Sequence, residues 1–174
     1  KRQDILSEQA TKAVERIIER TGSDLDTYIS SFRVVEGAPY SSSRKQRTII
    51  MRYIQPNSHI ILTLGDTQDV IRSCSKIQLN GMSKPFENEM YNSILKIDQY
   101  LKQNSVWVLS VAYRKIISKP GKIRNEQHSM IFLGMLALEK HIRPEALKAV
   151  ETCKNSGIKT ITITDEDPEE AFDA

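Results

Sequence analysis

The 174-residue chain has few of the residues that build bridges or metal sites. Its two cysteines, Cys74 and Cys153, lie far apart, with no Cys-x-x-Cys or Cys/His grouping. That spacing argues against a zinc site and gives no basis for a disulfide framework. Both sit in helix-like apolar patterns and read as ordinary packing residues. The three histidines, His59, His128 and His141, are scattered without metal-ligand spacing, so no metal site is expected. No run of about 18 apolar residues occurs, so this piece is not expected to span a membrane. Nor does its start read as a signal peptide. An excess of one charge is missing as well: 25 Lys and Arg stand against 22 Asp and Glu, a net +3. A general nucleic-acid binder carries a more lopsided basic surface, and no nucleic-acid partner is expected. Internal repeats and low-complexity tracts are absent. The chain begins at Lys1 without Met and stops on an acidic tail, so both ends read as cut from something larger.

What is present suits one domain, or one domain plus a fragment, with 39% hydrophobic residues to fill a core. Residues 5–20 read as a helix, with Ala10, Ala13, Val14, Ile17 and Ile18 on one face. Gly22 is its stop. A polar link follows from Ser23 to Ser31, then a strand at residues 32–35, with Pro39 breaking the pairing. Thr48–Ile54 and His59–Thr63 form an antiparallel hairpin around Pro56 and Asn57. Asp66 or Thr67 caps a short helix over residues 68–74. A short strand at 77–79 closes on Asn80-Gly81, a strong tight-turn signal. A four-turn helix follows, with Met90, Ile94, Ile97 and Leu101 as its core face. Val106–Tyr113 is a strand, Ser118–Gln127 a polar basic loop, and Met130–Leu138 a long apolar strand that reads as buried on both faces. Pro144 then starts a helix, and Ile158–Thr164 is a strand, giving a parallel crossover unit. The fold expected is α+β: a twisted antiparallel sheet flanked by helices over residues 1–138, with a short α/β tail over 139–174.

One stretch concentrates binding chemistry. Pro39-Tyr40-Ser41-Ser42-Ser43-Arg44-Lys45-Gln46-Arg47 sets an aromatic ring, small hydroxyls and three cations beside a β-branched strand. Arg, Lys and Ser bind phosphate or a base edge, and the Tyr40 ring can stack on a base. A solvated, cationic hairpin approach is the plainer reading of the same residues.

The order of four segments resembles the cytoplasmic nucleotide-binding domain of P-type ATPases, the ion-pumping membrane transport family. Residues 39–45 resemble its aromatic-to-Arg-Lys stretch before a strand. Leu64-Gly65-Asp66 and the following helix resemble its Lys-Gly-Ala motif. Residues 106–114 resemble the strand written Arg-x-Leu-Ala-x-Ala. Residues 132–164 resemble the return into the phosphorylation domain. The resemblance implies a cytoplasmic domain of an integral membrane protein that binds ATP. Its partners would be the phosphorylation, actuator and membrane domains of the parent, which would also supply Mg.

The resemblance places Tyr40 against adenine, with Lys45 and Arg44 beside it and Glu19 at the base edge. Leu64 stands where the family has the pocket lysine, and Trp107 where it has the arginine that reaches the phosphates. Of Asp-Pro-Pro-Arg only Arg143 is kept, in Lys140-His141-Ile142-Arg143, and Thr-Gly-Asp reads Thr164-Asp165-Glu166. No Asp-Lys-Thr-Gly sequence occurs, so no residue here is assigned a catalytic role. An isobutyl group cannot take over a lysine's polar role. Two readings therefore stand: a divergent, working ATP-binding domain, or an inactive pseudo-ATPase domain whose more apolar pocket takes another small ligand or a protein.

Overall fold

A computed structural model describes residues 8–22, 24–41, 45–53, 58–117, 120–122, 127–139 and 144–161. Helix α1 spans Glu8–Arg20 and α2 Leu25–Ser30. The short α2 lies inside the link expected to be irregular. Its start is set by Asp24, whose Oδ1 accepts from the backbone N–H groups of Asp26 and Thr27 at 3.1 and 3.2 Å. An aspartate ahead of the first turn is a regular helix-start signal, here on a helix too short to show an apolar period.

Seven strands follow, with three helices among and after them: β1 Phe32–Ser41, β2 Gln46–Tyr53, β3 His59–Gly65, α3 Thr67–Arg72, β4 Cys74–Leu79, β5 Met82–Pro85, α4 Asn88–Gln103, β6 Val106–Ile116, β7 Met130–Glu139 and α5 Pro144–Asn155. They form one sheet in the order β1-β2-β3-β6-β7-β4-β5. The β2–β3 hairpin pairs in continuous register from Gln46↔Gly65 to Arg52↔His59. The β4–β5 turn holds Asn80 and Gly81 at φ 49° and 78°, the mirror-image turn that the right-handed strand twist favours.

Several expectations are corrected. β1 runs on past residue 35 to Ser41, and Pro39 interrupts the pairing within it, as expected, at a register shift between Ala38 and Ser41. β1 is an edge strand, where a proline costs no interior ladder bond. The sheet is mixed, because β4 pairs with β7 in parallel. The crossover expected in the tail is not formed by the described residues: 158–161 carry no strand, and Ile158 and Ile161 are exposed. They run alongside no partner strand, and an extended segment without one has no ladder. Residues 162–164 lie outside the described residues. Cys74 opens β4 rather than closing α3. β7 is not buried on both faces, since Leu133 is 45% exposed.

The reason lies in how the helices are placed. Val70 and Ile71 of α3 and Ile94 of α4 share one buried cluster with Ile50, Ile61, Ala112, Met130 and Phe132 of the sheet. Register puts Ala38, Thr48, Thr63, Ala112 and Phe132 in one cross-strand row on that face. Alternation along each strand sends the intervening residues to the second face. Burying the core side chains on the helix side contributes about 1.5–3 kcal/mol each before entropy is subtracted.

Candidate functional site

The second face carries the candidate residues that the sheet brings together. Arg47 of β2 pairs with Leu64 of β3, and Leu64 pairs with Val111 of β6. Trp107 and Leu109 lie four and two residues before Val111 on the same strand, so alternation puts all three on one side. Trp107 and Leu109 sit opposite Leu138 and Leu136 of β7. Arg47, Leu64, Val111 and Trp107 are half-buried, and Leu109 is 2% exposed. The span from Val111 to Trp107 is about 13 Å at strand rise, the length of a nucleotide rather than of a single ring. Arg47 was marked in the sequence only as one of three cations of the 39–47 stretch, and Leu109 and Val111 were not singled out. The missing information was strand register, which pairs residues far apart in the chain.

Lys45 stands at the corner leading into β2. It is exposed, with φ of 45°, a left-handed conformation uncommon for a residue with a side chain. Two contacts hold it there. The Asp66 N–H donates to the Lys45 carbonyl at 2.9 Å. Gly65 packs directly beneath, where a Cβ would fall 2.3 Å from that same oxygen. The glycine of Leu64-Gly65-Asp66 is thus required by close backbone approach.

Asp66 is fixed in turn. Its Oδ1 accepts from Gln68 N at 3.0 Å and caps α3. Its Oδ2 lies 2.8 Å from Lys102 Nζ, and Lys102 also reaches Asp98 Oδ2 at 2.9 Å. Thr67 Oγ1 donates to Asp98 Oδ1 at 2.5 Å and accepts from Ser110 Oγ at 3.0 Å. Thr67 and Ser110 are fully buried. Burial alone would raise the Asp66 carboxyl, but the Lys102 hydrogen bond and charge outweigh it and hold it below the usual aspartate range. Burial likewise pulls the Lys102 ammonium down, and the hydrogen bonds to Asp66 and Asp98 more than reverse this. The network ties α4, the start of α3 and the Lys45 corner into one unit.

The remaining candidates are not brought into this group by the described residues. Glu19 is exposed near the end of α1. Tyr40 has its backbone in β1, while its side chain lies outside the described residues, as do Arg44 and Arg143. Cys74 is no nucleophile: its thiol donates to Val70 O at 3.3 Å, and burial pushes its pKa up to about 12.

This geometry is a mixed sheet with α3 and α4 packed on one face and an apolar row on the other, an α+β architecture. Residues 3–145 match the family model described as "P-type ATPase, cytoplasmic domain N", and the chain belongs to that family. It is 29% identical over 143 residues to a calcium-transporting ATPase of Bacillus subtilis (strain 168), covering 82% of this chain and 16% of that relative. It is 24% identical over 142 residues to the sodium/potassium-transporting ATPase subunit alpha-2 of Gallus gallus, covering 75% and 14%. It is 22% identical over 136 residues to the magnesium-transporting ATPase, P-type 1, of Escherichia coli (strain K12), covering 78% and 15%. The chain thus spans about one seventh of the length of the curated relatives it matches.

Proposed function

We propose that this domain binds ATP across the second face of the sheet and presents it to a phosphorylation site elsewhere in a P-type cation transporter. The observation that carries the reading is the shared face of Leu64, Val111, Leu109 and Trp107, with Arg47 directly opposite Leu64. Directly paired residues bring their Cβ atoms within about 4.5–5.5 Å. Arg47 therefore brings a cation to the position where Leu64 lacks one. In this reading Tyr40 stacks on the base, Lys45 and Arg44 line its approach, Glu19 sets its edge, and Arg143 is a further nucleotide-binding cation. The apolar face takes the base and ribose. The parent supplies Mg and the phosphorylated carboxylate. Residues 1–138 form the nucleotide domain and 139–174 begin the return to the phosphorylation domain.

Stacking contributes about 1–3 kcal/mol. With the lysine at 64 and the arginine at 107 replaced, affinity is expected on the order of 1 mM, about −4 kcal/mol. Trp107 is the single tryptophan of the chain and reports on the site directly. ATP titration should change its fluorescence with saturation near that concentration. Leu64→Lys should tighten binding, and Arg47→Gln should weaken it. No saturable change up to roughly ten times that concentration would defeat the proposal in favour of a pocket turned to another ligand.

A further inference from the structure

At the far end of the sheet, on the helix side, register assembles a row of basic residues. Arg33 of β1 pairs with Arg52 of β2, and Arg52 pairs with His59 of β3. Direct cross-strand partners project to the same face, so three basic side chains stand side by side on adjacent strands. One rung away, Arg114 of β6 pairs with Ile61, and its Nη1 lies 3.1 Å from His128 Nε2. Like charges directly opposite are destabilising in a sheet. No ion pair among the described residues offsets this. The acid nearest in register is Glu36, which pairs with Ile50 one rung up. The ion pairs among the described residues join Arg72 to Asp69 and Lys102 to Asp66 and Asp98, and none involves Arg33 or Arg52.

His59 is the second, independent sign. It is 8% exposed, and its Nδ1 is buried without a hydrogen-bond partner. A buried polar atom left without a partner costs about 1–3 kcal/mol unless something else satisfies it. Two exposed, opposed arginines and an unanswered imidazole nitrogen on the adjacent strand are complementary to one ligand chemistry. A tetrahedral oxyanion neutralises the paired charges, accepts forked N–H donors and reaches an imidazole N–H.

We propose that Arg33, Arg52 and His59 form a binding site for a phosphate group, separate from the nucleotide face. The separation is large. His59 pairs with Ile116, nine residues along β6 from Trp107, about 30 Å at strand rise, and the row lies on the opposite side of the sheet. The phosphate is either free in solution or carried on a lipid headgroup, and the test tells the two apart.

The test uses the whole chain, with chloride at matched ionic strength as control. Inorganic phosphate is titrated while backbone and imidazole resonances of Arg52 and His59 are followed by NMR. In parallel, the chain is sedimented with phosphatidylcholine vesicles with and without phosphatidic acid. Saturable shifts at Arg52 and His59 with Trp107 unmoved support a free phosphate ligand. Sedimentation only with phosphatidic acid supports the lipid source. Arg52→Gln, an exposed position, should weaken whichever binding is seen by on the order of tenfold. The same substitution should raise the melting temperature of the ligand-free chain, because it removes the opposed charge; a purely structural arginine would lower it. The proposal is overturned if neither probe binds above the chloride control, or if Arg52→Gln binds as wild type.

Discussion

Removing the Asp98 carboxylate tests whether the network behind the Lys45 corner holds the domain together. Asp98 sits on α4 with its side chain only 9% exposed, between Thr67 and Lys102. In Asp98→Ala, the buried Thr67 hydroxyl loses a charged acceptor, worth about 1.5–3 kcal/mol. The lost pair with Lys102 adds only about 0.2–1 kcal/mol, because the lysine side chain is 38% exposed and solvent screens it. The expected cost is about 2–4 kcal/mol, against a total stability for a domain of about 5–15 kcal/mol. Urea unfolding reads it directly. With a slope of about 1–3 kcal/mol per M, the midpoint should fall by roughly 1–3 M with the slope unchanged. Lys102→Met should cost about 1–3 kcal/mol, because the buried Asp98 carboxylate keeps Thr67 but loses its counter-charge. If Asp98→Ala costs under about 0.5 kcal/mol, the carboxylate is solvated and the reasoning is wrong.

Three further outcomes follow from the same unit and its neighbours. Gly65→Ala should cost about 1–3 kcal/mol in urea unfolding, because the new methyl meets the Lys45 carbonyl rather than a flexible side chain; an unchanged midpoint would refute the close approach. Lys102, with its pKa raised, contributes stability that is complete below the ordinary lysine value and fades as pH climbs through its folded value. Asp66, with its pKa lowered, contributes above the ordinary aspartate value and loses this as pH falls through its folded value. The stability difference between wild type and Lys102→Met should therefore be level between about pH 5 and 9 and shrink at both extremes; a difference that grows at high pH contradicts the pairing. Cys74 should resist iodoacetamide at pH 8 in the folded chain and react once urea unfolds it; equal labelling in both states, read by mass spectrometry, would overturn this.

Local pattern carried much of the fold. The β2–β3 hairpin was legible because β-branched runs flank a Pro-Asn pair in the sequence, and α3 because Asp66 is a ready cap. The core face of α4 was half legible: Ile94 is buried, but Ile97 is 49% exposed and Asp98 is buried instead. Apolar periodicity cannot see a charged residue whose burial depends on Thr67, 31 positions earlier. The parallel β4–β7 pairing was hidden for a similar reason, since more than 50 residues separate Cys74 from its partner Met130. At the candidate site, the order of motifs marked Leu64 and Trp107 as departures from the family. Only register could show that Arg47 stands opposite Leu64, or that Arg33, Arg52 and His59 form a row.

The central claim is that nucleotide lies on the face holding Leu64, Leu109 and Val111 rather than under the helices. Methyl-resolved NMR of the chain during ATP titration measures this most directly. Saturable shifts should gather on those three residues and on the Trp107 indole, leaving Ile50, Ile61 and Ile71 of the opposite face still. Shifts confined to the helix side, or spread evenly over both faces, would contradict it.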